Sequence, residues 1–209
     1  QALATHAVAA CQSDRTPYRE ESGIGGGRLH NLLFLVHRIP YPPNKGDKVR
    51  SYNMLKYLSR RYRMFVGAFV DDEADFEHEN ALRDMCEECH LLRLSPSHAK
   101  AKSLAGLLTG EPLTLPYYRS ARMQQWVDNI LRTTRLQGVL VFSAAMAQYV
   151  MAARDFCRVA DLVDVDSDKW RQYSATQHWP YSMVYRRESR TLLDYERRIA
   201  REFDSTVFV

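Results

Sequence analysis

From Leu32 onward, short apolar runs alternate with longer segments whose apolar positions recur every three or four residues. Leu32-Leu33-Phe34-Leu35-Val36 is apolar throughout, as a strand buried on both faces of a parallel sheet must be. Further strands are predicted over 64–70, 91–94, 139–142, 159–165 and 206–209. Between them Val49, Tyr52, Leu55, Leu58 and Tyr62 mark one face of a helix. Residues 71–88 read as largely helical, and helices are expected near 99–108 and 121–133, with a short one from Ala144. A long polar helix is predicted over 181–203, with Leu192, Tyr195, Ile199 and Phe203 as its apolar stripe. Its mixed charges read as a solvated face with pairs one turn apart. This alternation predicts an α/β fold, a Rossmann-like parallel sheet with helices on both faces. Ligands of such sheets bind beyond the carboxyl ends of the strands, near the point where strand order reverses. The loops after Val36, Phe142 and Val165 are therefore the places to look for chemistry.

Composition narrows the classes. At 209 residues and 45% hydrophobic, the chain can bury a core without metal or disulfides. A balance of 29 basic against 25 acidic residues is too mild to argue for nucleic acid. Cys11, Cys86, Cys89 and Cys157 do not make a disulfide framework, and they read as reduced in a cytoplasmic protein. Cys86 and Cys89 have C-x-x-C spacing but no partner pair at zinc-finger distance, and are expected to pack as small apolar residues. No apolar run approaches the roughly 18–20 residues that span a bilayer, so any membrane contact is expected to be peripheral. Residues 1–28 lack sustained periodicity and read as a flexible extension, with 29–209 as one domain. The last apolar run meets the chain end with no helix after it, the pattern expected of a cut inside a longer protein.

Two segments carry candidate chemistry. The loop after the first strand holds Lys45, Gly46, Asp47, Lys48 and Arg50. It matches neither the dinucleotide nor the phosphate-loop glycine pattern. It nevertheless puts a glycine before a helix N-terminus, where free N–H groups favour an anion, with cations nearby. The alternative is a proline-stiffened connector in which Asp47 caps the helix. The second segment runs Asp164-Val165-Asp166-Ser167-Asp168-Lys169-Trp170. On an extended strand Asp164 and Asp166 share a face and could hold a sugar hydroxyl, a proton or a divalent metal. Alternatively, Asp166 or Ser167 caps the helix carrying Trp170 and Tyr173.

Taken together, 34–52 (FLVHRIPYPPNKGDKVRSY), 69–72 (FVDD), 94–96, 107–120 (LLTGEPLTLPYYRS), 141–149 (VFSAAMAQY), 163–173 (VDVDSDKWRQY) and 185–198 resemble one family. It is the sugar transferases associated with exosortase (PEP-CTERM) exopolysaccharide loci, family-4-like retaining glycosyltransferases of GT-B fold. The resemblance implies the N-terminal, acceptor-side half of such an enzyme, without the donor-binding domain and its E-x7-E motif. It implies a nucleotide-sugar donor as co-substrate, a glycan or lipid-linked acceptor, no cofactor and no obligatory metal. It also implies a cytoplasmic protein at or near the inner membrane. Gly46, with Asp47, Lys45 and Arg50 beside it, would approach the donor diphosphate. Ser143 and Met146 would face the acceptor, Asp164 and Asp166 would lie near the reacting sugar, and Lys169 would add charge there. Two other classes remain open: a non-catalytic Rossmann-like binding domain, and a metal-dependent transferase using Asp164 and Asp166.

Overall fold

The computed structural model of the chain describes residues 30–208, so the expectation for 1–28 lies outside the described residues. The strands are β1 (His30–Val36), β2 (Tyr62–Val70), β3 (Glu88–Arg93), β4 (Leu136–Phe142), β5 (Cys157–Asp161) and β6 (Ser205–Val207). Among the described residues they form one six-stranded sheet in the order β3-β2-β1-β4-β5-β6, parallel at every pairing. The helices are α1 (Gly46–Leu58), α2 (Glu79–Arg83), α3 (Pro96–Ser103), α4 (Ala105–Thr109), α5 (Thr114–Tyr118), α6 (Ala121–Thr133), α7 (Asp166–Thr176) and α8 (Tyr181–Glu202).

The period of two along each strand divides the core. Leu32, Phe34, Val36, Met64, Val66, Leu140 and Phe142 face one layer, where Met54, Leu55 and Leu58 of α1 and Leu82 of α2 meet them. Leu33, Leu35, Phe65, Phe69, Val139 and Val141 face the other, against Met123, Val127 and Ile130 of α6 and Ile199 of α8. Apolar side chains on both faces of the central strands therefore require helices on both faces, the Rossmann-like arrangement expected. Gly67 lets α6 approach closely: a Cβ there would lie 2.8 Å from the Trp126 ring.

Three local expectations change. Residues 71–88 hold only a 3-10 helix (Glu73–His78) and the short α2, because Asp72 caps the Ala74 N–H and Asp75 turns inward to Lys48. β5 ends at Asp161, four residues early. The Asp161 carboxylate accepts the Val163 N–H at 3.0 Å, and Val163 has φ +61°, which no strand continues through. Cys157 is disulfide-bonded, so the reduced reading fails there. Cys86 and Cys89 are free, and Cys89 is buried in the core.

Candidate functional site

The strand order reverses between β1 and β4: α1 leaves toward one face, while the 3-10 helix Ala144–Tyr149 after β4 packs on the other. The residues following β1, β4 and β5 converge there on a cavity of about 660 Å3. His37 and Arg38 come from the end of β1, Ser143 from β4, and Leu162, Val163, Asp164 and Asp166 from β5. Tyr117 and Tyr118 of α5, Trp170 of α7 and Tyr185 of α8 supply an aromatic wall. Two non-glycine residues on its lining have positive φ, Ser143 (+86°) and Val163 (+61°). Each is held in place: the Ser143 N–H donates to the Asp161 carbonyl at 2.8 Å, and Asp161 holds Val163 as described. Such conformations cost about 1–3 kcal/mol each and collect at sites where geometry matters.

Asp47, in the first turn of α1, is the polar anchor. Arg38 donates to it at 2.9 Å and His37 Nε2 lies at 3.4 Å, while the other Arg38 nitrogen reaches Asp71 at 3.0 Å. The hydrogen bond from His37, with the charge of Arg38, holds the Asp47 carboxyl far below the usual carboxylate range. The His37 ring stacks on Phe142, centroids 6.0 Å apart, and meets Tyr118 edge-on. With Nε2 turned to Asp47, Nδ1 is buried without a partner among the described residues. Nδ1 is thus left to hydrogen-bond a ligand in the cavity.

Asp166 stands in contrast. Among the described residues no hydrogen bond or ion pair engages its side chain. Burial pushes its carboxyl up; His37 and Lys169 pull the other way, and Asp164 adds to the rise. The cavity thus brings together a carboxylate fixed in its ionised form and one made more basic than usual. Burial likewise raises the Tyr118 hydroxyl.

The surrounding walls are fastened from α8. Glu188, 1% exposed, accepts the N–H groups of Leu113 and Thr114 and the Thr114 hydroxyl at 2.6–3.0 Å, so it caps α5. Arg187 donates to the carbonyls of Gly106 and Glu111. Glu196, 3% exposed, accepts the Ser167 N–H and hydroxyl and so caps α7. The helix read from sequence as a solvated charged face therefore uses three of those charges as internal clamps.

Of the residues singled out from sequence, Asp47, Ser143, Asp164, Asp166 and Lys169 line the cavity. Asp164 and Asp166 do not share a strand face, since Asp164 lies in the turn after β5 and Asp166 opens α7. Val165 occupies the cap position of α7 and Lys45 that of α1, so neither Asp47, Asp166 nor Ser167 is an N-cap. Lys45 and Gly46 are exposed and lie outside the cavity lining. A Cβ on Gly46 would meet nothing within 4 Å, so no close approach within the chain requires glycine. Arg50 is engaged inside the fold: its Nη2 holds both oxygens of the fully buried Asp161, at 2.6 and 2.9 Å. Lys48 is likewise spent on Asp75, at 2.5 Å with 1% of its side chain exposed. Met146 is 0% exposed in the core and faces no acceptor. The whole run Ala144-Ala145-Met146-Ala147 is apolar and buried beneath β4, so its apolar sequence already pointed to the core.

Sequence reasoning assigned no role to His37, Arg38, Tyr118, Glu188 or Glu196. For the first two a signal existed, since they follow directly on a strand's carboxyl end. For the acids of α8 there was none, because their partners lie 74 and 29 residues away along the chain. Among the described residues, no three His, Cys, Asp or Glu side chains form a group able to hold a metal ion. No helix there is long and apolar enough to cross a membrane. No protein-family model matches the chain, and no curated protein matches it.

Proposed function

We propose that the chain is the acceptor-side domain of a GT-B sugar transferase, and that its cavity binds a glycan acceptor next to a nucleotide-sugar donor. One observation carries the reading: the unpaired, half-buried Asp166 carboxylate faces the His37–Asp47 pair beneath an aromatic wall at the switch point of the sheet. Sugars present hydroxyl groups to acceptors such as carboxylates, and C–H faces to aromatic rings. In this reading Asp166 accepts a hydrogen bond from the attacking acceptor hydroxyl, and its raised basicity draws that proton as the glycosidic bond forms. His37 Nδ1 hydrogen-bonds a second hydroxyl, with Asp47 fixing the ring. Trp170 and Tyr185 stack on the sugar. Lys169, at the cavity rim, offers its ammonium to the leaving diphosphate. The resemblance of the KGDKVRSY and DVDSDKWRQY strings to exopolysaccharide transferases supports the same class, with retention of configuration and a lipid-linked glycan as acceptor.

The test is binding of short neutral oligosaccharides, followed by Trp170 fluorescence and by NMR signals of the His37 ring. The expected result is saturable binding that Asp166→Asn weakens by about tenfold, the equivalent of about 1.4 kcal/mol. Binding unchanged in Asp166→Asn, or none at millimolar glycan, would remove this reading.

A further inference from the structure

A second cavity, of about 280 Å3, opens beyond the carboxyl ends of β2 and β3. Its lining includes Arg93, His98, Lys102, Arg119 and Arg122, and no aspartate or glutamate. Two of these cations have surface partners outside the lining: Arg93 reaches Glu73, and Arg119 reaches Glu111 at 2.9 Å. His98 and Arg122 have no acidic partner among the described residues. Lys102 donates its Nζ proton to the Arg119 carbonyl. Burial, and then the neighbouring Arg119 charge, push its ammonium pKa down, and no carboxylate lines the cavity to offset either effect.

The backbone adds to the same field. The N-termini of α3 and α6 both open on this cavity, through Ser95 and His98 on one side and Ser120, Ala121 and Arg122 on the other. The Ser95 side chain caps nothing, so the first-turn N–H groups of Ser97 and His98 have no intrahelical acceptor. Ser120 satisfies the Met123 N–H and leaves those of Ala121 and Arg122. Tyr117 lines both cavities, so a ligand in one lies within a side chain's width of the other.

We propose that this second cavity is a binding site for a phosphate-type oxyanion, a mono- or diphosphate group. Converging Arg, Lys and His side chains supply charge-assisted hydrogen bonds, and the two helix ends supply N–H groups already oriented toward an anion. The proposal stands apart from the glycan reading, because it uses no residue of the Asp47–His37–Asp166 set. If both hold, the acceptor carries its phosphate next to its sugar.

The experiment titrates the full chain with inorganic pyrophosphate at constant ionic strength and follows backbone amide signals. Saturable shifts are expected at Ser97, His98, Ala121 and Arg122. The double variant Lys102→Gln/Arg122→Gln should bind about tenfold more weakly or worse, while Asp166→Asn should bind as the parent does. Flotation with phosphatidylcholine vesicles containing phosphatidic acid identifies the source of the phosphate. Vesicle binding that pyrophosphate displaces assigns a lipid phosphate, and pyrophosphate binding without vesicle binding assigns a soluble one. Shifts that do not saturate, shifts equally large at outlying cations such as Arg60 and Arg61, or a double variant that binds as tightly as the parent would each overturn the site.

Discussion

Replacing Arg50 with alanine strands a carboxylate in the interior. Asp161 is 0% exposed at the end of β5, and one Arg50 nitrogen reaches both of its oxygens. Apart from that contact, the Asp161 carboxylate accepts only the Val163 N–H among the described residues. Removing one partner of a buried pair costs about 3–5 kcal/mol, mostly because the other charge is left uncompensated. The Arg50 side chain keeps 16% of its surface exposed, so water can follow the truncation inward. That places the expected loss at the lower end, about 3 kcal/mol. In a domain of this size about 1 kcal/mol moves the melting temperature by about 2–4 °C, so Tm should fall by about 6–12 °C. Urea unfolding and thermal melts followed by circular dichroism read both quantities. Arg50→Lys should recover part of the loss, since an ammonium restores charge without the planar fork. Asp161→Asn should cost far less in the Arg50→Ala background than alone, giving a coupling of about 2 kcal/mol or more. An Arg50→Ala chain melting within about 2 °C of the parent would refute the reasoning and return Arg50 to the pool of cations available to a phosphate.

Two further outcomes follow from local geometry. Gly46→Ala should stabilise the chain by about 0.5–1 kcal/mol, because the added Cβ meets open space at a helical position and restricts the unfolded chain; a clear loss of stability in urea would show that the loop needs glycine after all. Glu196→Gln should flatten the pH dependence of stability. Burial raises this carboxyl above its ordinary range, so the folded chain holds the proton that the unfolded chain has released. The group therefore costs stability as pH climbs from about 4 through its raised pKa. Urea midpoints taken across that window should converge between parent and variant at the acid end, and a constant offset would contradict the assignment.

The sheet was legible because its signal is local. The runs at 32–36, 64–70 and 139–142 are apolar at every position or nearly so, and burial on both faces admits no other reading. The 3.6-residue period of α8 was equally plain, but that of α1 was only half right: Leu55 and Leu58 are buried, whereas Val49 is 40% exposed, Tyr62 belongs to β2, and Lys48, Ser51 and Met54 complete the buried face. Positions where a side chain acts against the local pattern were not legible. Asp161 breaks β5 through a carboxylate turned back on its own backbone, which moved Asp164 and Asp166 off the face they would share. Lys48 and Arg50 looked like free cations near a helix end, yet each is committed to an acid 27 or 111 residues away. Only tertiary structure contains that information. The place of the cavity was read correctly from topology, whereas most of its polar lining, including His37, Arg38, Tyr118 and Glu188, had not been singled out; only for His37 and Arg38, at a strand's carboxyl end, was there a local signal.

Helix α8 gives the cavity a single mechanical mount. Its 22 residues span about 33 Å at about 1.5 Å per residue. Along that length Arg187 and Glu188 grip the segment from Gly106 to Thr114, and Glu196 grips the turn into α7. The two walls therefore cannot shift independently: a ligand that presses on Tyr118 loads the same rod that carries Trp170. One residue inserted between Glu188 and Glu196 would turn one grip by about 100° relative to the other and lift it by about 1.5 Å, so that no rotamer could close both. The spacing of eight positions between Glu188 and Glu196 along α8 is therefore a fixed gauge for the width of this cavity.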